Sequence, residues 1–236
     1  MPGIQVVEVP TPVGPARAHV HPATGRRPAG SRPTTVVLGH GAGGGIGARD
    51  LAALATALPA VGVPVVLVEQ PWRVAGKKVA VAPGRLDEAW TAVLAAADLT
   101  SVLRPRGGRL AVGGRSAGAR VACRTAAATG ADLVVCLAFP LHPPGRPASS
   151  RVAELVGAGR PTLVLQGERD PFGGPDEVTA QTRQALGGEA AVAAAALQLV
   201  GVPGADHGFK VGAGAAMGQG DVLDLIVAAV TAFVLD

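Results

Sequence analysis

Short apolar runs alternate with longer amphipathic stretches through most of this chain. Residues 64–68 (PVVLV) form a continuous apolar run, typical of a strand buried on both faces of a parallel sheet. Residues 50–58 place Leu51, Leu54 and Leu58 on one face of a helix. By the same criteria, strands are predicted at residues 4–9, 16–21, 34–38, 64–68, 110–112, 133–138, 162–165 and 197–200, and helices at 50–58, 86–99, 116–128 and 222–233.

This order predicts an α/β fold: a mostly parallel sheet with helices on both faces and an antiparallel hairpin at its start. The alanine run 190–196 favours a helix, yet a strand should begin nearby, so its assignment stays open. No repeat or linker interrupts the pattern, and we expect residues 1–236 to form a single domain.

Composition fits an intracellular protein better than a secreted or membrane protein. Nearly half of the residues are apolar, enough for a substantial core without disulfides. Cys123 and Cys136 are interpreted as small buried residues of a reducing compartment. The N-terminus lacks the pattern of a signal peptide, and no apolar run approaches the roughly 18 residues of a membrane span. A cytoplasmic protein is therefore expected.

The net charge of +4 does not indicate nucleic-acid binding, because the basic residues are scattered and only four Phe and two Trp could stack on bases. A modest preference for anionic substrates is the most that the charge suggests. No spacing of His, Cys and Asp indicates a metal site. The sequence leaves the oligomeric state open.

The most informative motif is GGRSAG at residues 113–118, directly after the predicted strand 110–112. A serine between small residues at a strand-to-helix junction predicts a sharp turn that exposes the hydroxyl beside the first amides of the helix. Ser116 is therefore the candidate nucleophile.

Two further residues complete the chemistry that such a serine needs. Asp170 and His207 each lie in a loop after a later predicted strand, in the segments QGERDPFG and GADHGF. The order Ser, Asp, His along the chain is that of the α/β-hydrolase triad. Asp206 and Glu168 are rival acids, but Asp206 adjoins the histidine and would tend to point away from the far ring nitrogen, so Asp170 is preferred.

A glycine-rich loop, GHGAGGG at residues 39–45, follows the strand at 34–38. In this fold such a loop supplies one amide of the oxyanion hole, and the residue after the nucleophile supplies the other. We assign these amides to Ala42 and Ala117. The loop also fits G-x-G-x-x-G, with Glu69 where a ribose-binding acid would lie, so a dinucleotide-binding protein is an alternative. Two strand-like segments precede the motif, however, whereas the fingerprint usually follows the first strand.

Other residues near strand ends are weaker candidates for a substrate pocket. Each has an ordinary structural explanation as well: a solvated loop, turn chemistry or bracing of a neighbouring loop. These candidates are His40, Gly41, Trp72, Arg73, Arg115 and His142.

With these motifs in place, the chain resembles the α/β-hydrolases. It is most similar to small dienelactone-hydrolase-like bacterial proteins related to a subunit of the animal non-specific-lethal histone acetyltransferase complex. The matching stretches include LGHGAGGG, VEQPWRVAGKK, GGRSAGARVA, FPLHPPGRP, PTLVLQGERDPFG and GADHGF. The resemblance implies an eight-stranded sheet, with Ser116, Asp170 and His207 as the triad.

Two departures limit what the resemblance implies. Only residues 142–160 separate the strands on either side of the usual cap insertion, so any lid is minimal. Dienelactone hydrolases use a cysteine nucleophile, whereas this elbow holds serine, so lactone specificity does not carry over. The expected function is a cofactor-independent serine hydrolase of small esters, thioesters or amides, with ester most favoured. The alternative from another class is a non-catalytic interaction module that retains the fold.

Overall fold

The structure, a computed structural model, describes residues 3–236. Eight strands form one sheet in the order β1-β2-β4-β3-β5-β6-β7-β8. The strands are β1 (Gln5–Val9), β2 (Ala16–His21), β3 (Thr34–Gly39), β4 (Val65–Glu69), β5 (Arg109–Arg115), β6 (Leu133–Leu137), β7 (Thr162–Gly167) and β8 (Leu197–Val202). The β1–β2 and β2–β4 pairs are antiparallel and all other pairs are parallel. The predicted hairpin and parallel sheet are confirmed.

The helices cover both faces of the sheet. They are α1 (Arg49–Ala60), α2 (Pro71–Val74), α3 (Pro83–Leu94), α4 (Thr100–Leu103), α5 (Ala117–Thr125), α6 (Val152–Val156), α7 (Pro175–Leu186), α8 (Glu189–Ala194) and α9 (Gln219–Leu235). Helices α1 and α9 share a core with strand residues such as Val36 and Leu38, whereas α3, α5, α6 and α7 pack with residues such as Val37. Alternating side chains of one strand thus enter opposite cores, as a doubly covered sheet requires.

The predicted helix at residues 86–99 is wrong after Leu94. Helix α3 ends at Leu94, the backbone is extended at Ala96, and a 3-10 turn (Ala97–Leu99) then leads into α4. An uninterrupted helix would not keep Leu99 and Leu103 on the face that packs against the sheet, because they lie five and nine residues after Leu94. The break buries both leucines and leaves Ala97 exposed.

Elsewhere the differences are smaller. The alanine run is helical until Ala194 and β8 begins at Leu197. Helices α2, α6 and α7 were not predicted. The segment between β6 and β7 contains only the five-residue α6, so a large helical cap is absent among the residues that the structure describes. Within residues 3–236, no helix combines the length and apolarity needed to cross a membrane.

Candidate active site

The site is built around the sharp turn between β5 and α5. Ser116 lies in the left-handed region, at φ 53° and ψ −109°, a conformation that is strained for a residue with a side chain. The strands and helix that cross here approach closely because two flanking residues are glycines. A Cβ added at Gly114 or Gly118 would lie 2.4 or 2.5 Å from the Gly39 carbonyl oxygen. The small residues of the motif are thus required by the backbone contact between β3 and the elbow.

The structure brings Ser116, His207 and Asp170 into one hydrogen-bonded chain. The Ser116 hydroxyl lies 2.9 Å from Nε2 of His207, and Nδ1 of the same ring lies 2.8 Å from Oδ2 of Asp170. This spacing suits a tautomer in which Nδ1–H donates to the carboxylate and Nε2 accepts from the serine. The imidazole also stacks against Phe172, with ring centroids 4.2 Å apart.

Asp170 is fixed by groups other than the histidine. Its side chain is fully buried; Oδ1 accepts from the Phe172 backbone N–H at 2.8 Å, and Oδ2 accepts from the Gln166 side-chain amide at 3.0 Å. These hydrogen bonds fix the orientation of the carboxylate beside the imidazole.

The two rival acids have other partners. Asp206 Oδ1 accepts from the backbone N–H groups of Gly208 and Lys210, so it caps the histidine loop. Glu168 accepts from the Gly204 N–H, 2.9 Å away. Neither carboxylate occupies the place beside the imidazole that Asp170 takes.

The glycine-rich loop lies against the elbow. A Cβ at Gly41 would be 3.4 Å from the Ser116 Cβ, which shows how closely the loop approaches that residue. Among residues 3–236 we find no hydrogen bond from the Ala42 or the Ala117 backbone N–H to another protein group. Both residues line the cleft beside Ser116, so these donors are available to a bound oxygen.

The loop geometry does not favour the dinucleotide alternative. Helix α1 begins at Arg49, five residues after Gly44, so the third glycine of the apparent fingerprint does not open the helix. Glu69 lies 4.0 Å from an Arg17 nitrogen and 3.7 Å from His19 Nε2, in contact with the neighbouring strand β2.

A cleft of about 480 Å³ opens over Ser116. Its walls combine the glycine-rich loop, the elbow, Pro140, Phe172 and His207 with three arginine side chains. The arginines are Arg115, Arg120 and Arg151. Of these, only Arg115 was predicted. Arg120 lies four residues after Ser116, a helical spacing that could have identified it, whereas no local pattern marks Arg151.

Arg115 joins three parts of the site. Its Nε lies 3.3 Å from Oδ2 of Asp50 in the first turn of α1, close enough for an ion pair although the N–H is not aligned for a hydrogen bond. Another nitrogen of the same guanidinium donates to the His207 carbonyl oxygen at 2.7 Å. Burial raises the pKa of Asp50, and the nearby Arg115 opposes that rise. Arg115 is therefore held between a buried carboxylate and the histidine loop.

Arg120 belongs to a larger charge network on α5. It donates from two nitrogens to both oxygens of Glu154 on α6, at 2.7 and 2.5 Å. Glu154 also accepts from Arg124, which forms a second bidentate pair with Asp87 on α3. Although burial alone would raise it, the two arginines leave the pKa of Glu154 lower than usual.

Several predicted pocket residues lie behind the cleft. His40 and Trp72 are buried and in edge-to-face contact, 5.4 Å between ring centroids. Nε2 of His40 accepts from the Gln70 N–H, and Nδ1–H donates to the Gly41 carbonyl, while burial lowers the pKa of His40. This neutral histidine thus supports the glycine-rich loop from below.

Arg73 and His142 also lie outside the cleft wall. The Arg73 guanidinium is adjacent to Gly45. His142 is buried beside α7, where Nε2 lies 3.1 Å from the Glu177 carboxylate and Nδ1–H donates to the Pro143 carbonyl. His142 is not among the residues that line the cleft over Ser116, and its role in a substrate pocket stays a prediction.

Comparison with known proteins identifies the group to which these features point. A sequence profile described as "Alpha/beta hydrolase domain" matches residues 32–235. No curated protein matches the sequence significantly. Many solved structures are similar in fold.

Three solved structures illustrate the similarity. A lidless α/β serine hydrolase from Xanthomonas campestris is 22% identical, with 99% of this chain and 96% of that chain covered at a TM-score of 0.66. A dienelactone hydrolase from Anabaena variabilis is 19% identical, covering 98% and 96% at 0.62. An esterase from Pyrobaculum calidifontis is 18% identical, covering 99% and 86% at 0.63. At these identities the similarity concerns the fold.

Proposed function

The chain belongs to the alpha/beta hydrolase domain family, and from that membership we propose that it is a serine esterase with Ser116, His207 and Asp170 as its catalytic triad. The observation that carries the proposal is the unbroken hydrogen-bonded chain from the serine hydroxyl through the imidazole to a buried carboxylate. We further propose that residues 1–236 form one hydrolase domain, and that it is related to the dienelactone-hydrolase-like proteins whose motifs it resembles.

Acylation would begin when the Ser116 oxygen attacks the ester carbonyl carbon while its proton passes to Nε2 of His207. The negative oxygen of the tetrahedral intermediate would accept hydrogen bonds from the Ala42 and Ala117 amides. His207 then gives the proton to the departing alcohol oxygen as the carbon–oxygen bond breaks. Asp170 stays ionised and stabilises the imidazolium.

Deacylation repeats these steps with water as the nucleophile. His207 takes a proton from the water, the hydroxide adds to the acyl carbon, and the Ser116 oxygen leaves with that proton. Bond making and breaking use only protein groups and water, so the proposal includes no cofactor. The volume of the cleft, about 480 Å³, supports a small-molecule substrate.

The test is covalent labelling by a fluorophosphonate probe, with hydrolysis of neutral 4-nitrophenyl esters measured in parallel. We expect the wild type to be labelled and active, and Ser116→Ala to lose both properties. Ser149→Ala is the matched control, because Ser149 is an exposed serine outside the cleft lining. Absence of labelling on folded wild type, or equal labelling of Ser116→Ala, would refute the proposal.

A further inference from the structure

The three arginines of the cleft differ in how their charges are compensated. Arg115 is paired with Asp50, and Arg120 is paired with Glu154. For Arg151, no carboxylate lies within ion-pair distance among residues 3–236. The cleft wall therefore carries one guanidinium without a carboxylate partner of its own.

Arg151 is also held in place. Its Nη1 donates to the Pro140 carbonyl oxygen at 2.9 Å, which fixes the side chain at the cleft. The other N–H groups of the guanidinium have no protein acceptor in the described chain. Partial burial and the repulsion of nearby Arg120 lower the pKa of Arg151, although the attraction of the Glu154 carboxylate opposes this. An anion bound between the two side chains would relieve that repulsion.

We propose that Arg151, together with Arg120, binds a carboxylate that is part of the ester substrate. The inference rests on the proposed esterase function and narrows its substrate to esters bearing a carboxylate. A guanidinium presents parallel N–H groups that match the two oxygens of a carboxylate, and a half-buried site strengthens the contact. The carboxylate would anchor the substrate while the ester carbonyl faces Ser116.

The experiment compares kcat/KM for charged and neutral esters of matched shape. On the acyl side, 4-nitrophenyl hydrogen adipate is paired with 4-nitrophenyl hexanoate. On the alcohol side, the butyrate of 4-hydroxyphenylacetate is paired with that of 4-propylphenol. For at least one pair we expect the wild type to favour the charged ester by about tenfold to a hundredfold, the range typical of a charge-assisted hydrogen bond.

Variants then assign the preference to Arg151. Arg151→Gln should lower the charged-to-neutral ratio by about tenfold or more, and Arg151→Lys should retain part of it because the charge remains. Arg106→Gln is the matched control, since Arg106 is an exposed arginine outside the cleft lining. Its ratio should equal that of the wild type.

The proposal is overturned if the wild type shows no preference in either pair, if Arg151→Gln keeps the ratio, or if Arg106→Gln lowers it equally. Failure of the esterase proposal is distinguishable, because neutral esters would then not be hydrolysed in a Ser116-dependent way. Calorimetric titration of adipate into wild type and Arg151→Gln tests the anion site without any turnover. Tighter binding of inorganic phosphate than of adipate would contradict a carboxylate site.

Discussion

Replacing Arg115 by methionine separates its role in stability from its role in catalysis. The substitution keeps an unbranched apolar side chain but removes the guanidinium that lies between Asp50 and the His207 carbonyl. It leaves the Asp50 carboxylate, whose side chain is 2% exposed, without its charge partner. The carbonyl of the histidine loop loses its donor at the same time.

The expected stability loss is about 3–5 kcal/mol, the usual effect of removing one partner from a buried ion pair. It should depend on pH, because burial raises the pKa of Asp50 and loss of Arg115 would raise it further. An acid whose pKa is higher in the folded than in the unfolded state destabilises the protein as the pH rises. The loss of stability begins near the unfolded-state pKa and is complete above the folded-state pKa. The deficit should therefore be large near neutral pH and smaller at about pH 5, where more of Asp50 is protonated.

Urea unfolding of wild type, Arg115→Met and Asp50→Asn/Arg115→Met at both pH values measures this effect, provided that the m-value is unchanged. The double variant has no buried charge to leave unpaired, so it should recover much of the stability. It should not recover the rate, because the His207 carbonyl still lacks its donor. A misplacement of the imidazole by about 1 Å can reduce kcat by about a hundredfold.

Two results would refute this reasoning. If Arg115→Met loses the same stability at both pH values, then the cost does not come from an ionised Asp50. If the double variant is as active as wild type with neutral esters, then the contact with the His207 carbonyl does not position the base.

Three further outcomes follow from contacts in and around the site. Asp170→Asn should reduce kcat by about 10⁴, whereas Asp206→Asn should leave kcat nearly unchanged; steady-state kinetics on both variants decides which acid serves the histidine. The pKa of His142 is raised by its backbone hydrogen bond and by Glu177. An NMR titration should show a lower pKa of His142 in Glu177→Gln than in the wild type. In the wild type, the stabilisation from protonated His142 should be lost as the pH rises through its raised pKa. Its hydrogen-bonded contact with the Cys123 thiol and its burial raise the pKa of Cys136 well above its usual range, so iodoacetamide should label it only after unfolding, as mass spectrometry would show.

The sheet could be predicted from sequence because each of its signals is local. The apolar runs of the strands and the glycines of the elbow are contiguous, and the chain order of Ser116, Asp170 and His207 follows the order of the strands that carry them. Their three loops end at the same edge of a parallel sheet, so order along the chain becomes proximity in space. The choice between Asp170 and Asp206 also followed from a local argument. Asp206 is adjacent to His207, so its side chain tends to point away from the far nitrogen of that ring.

The helices and the pocket were harder because their signals are tertiary. The break after Leu94 depends on which leucines the sheet can accept, and periodicity within the segment does not contain that information. The prediction that Trp72 and His142 border the substrate relied on their place after strands. Neither residue lines the cleft over Ser116: Trp72 contacts His40 and His142 contacts Glu177.

Charge shows most clearly why the cleft cannot be read from the sequence. The scattered basic residues and the net charge of +4 describe the whole surface, but a substrate experiences only the groups around Ser116. In the cleft wall and the ion-pair network attached to it, Arg115 pairs with Asp50, and Arg120 and Arg124 pair with Glu154 and Asp87. Most of these partners are separated by thirty residues or more along the chain, so only folding determines which arginine remains uncompensated. That residue is Arg151, which lies on the cleft wall and not on the outer surface, and its unmatched charge favours an anionic substrate there.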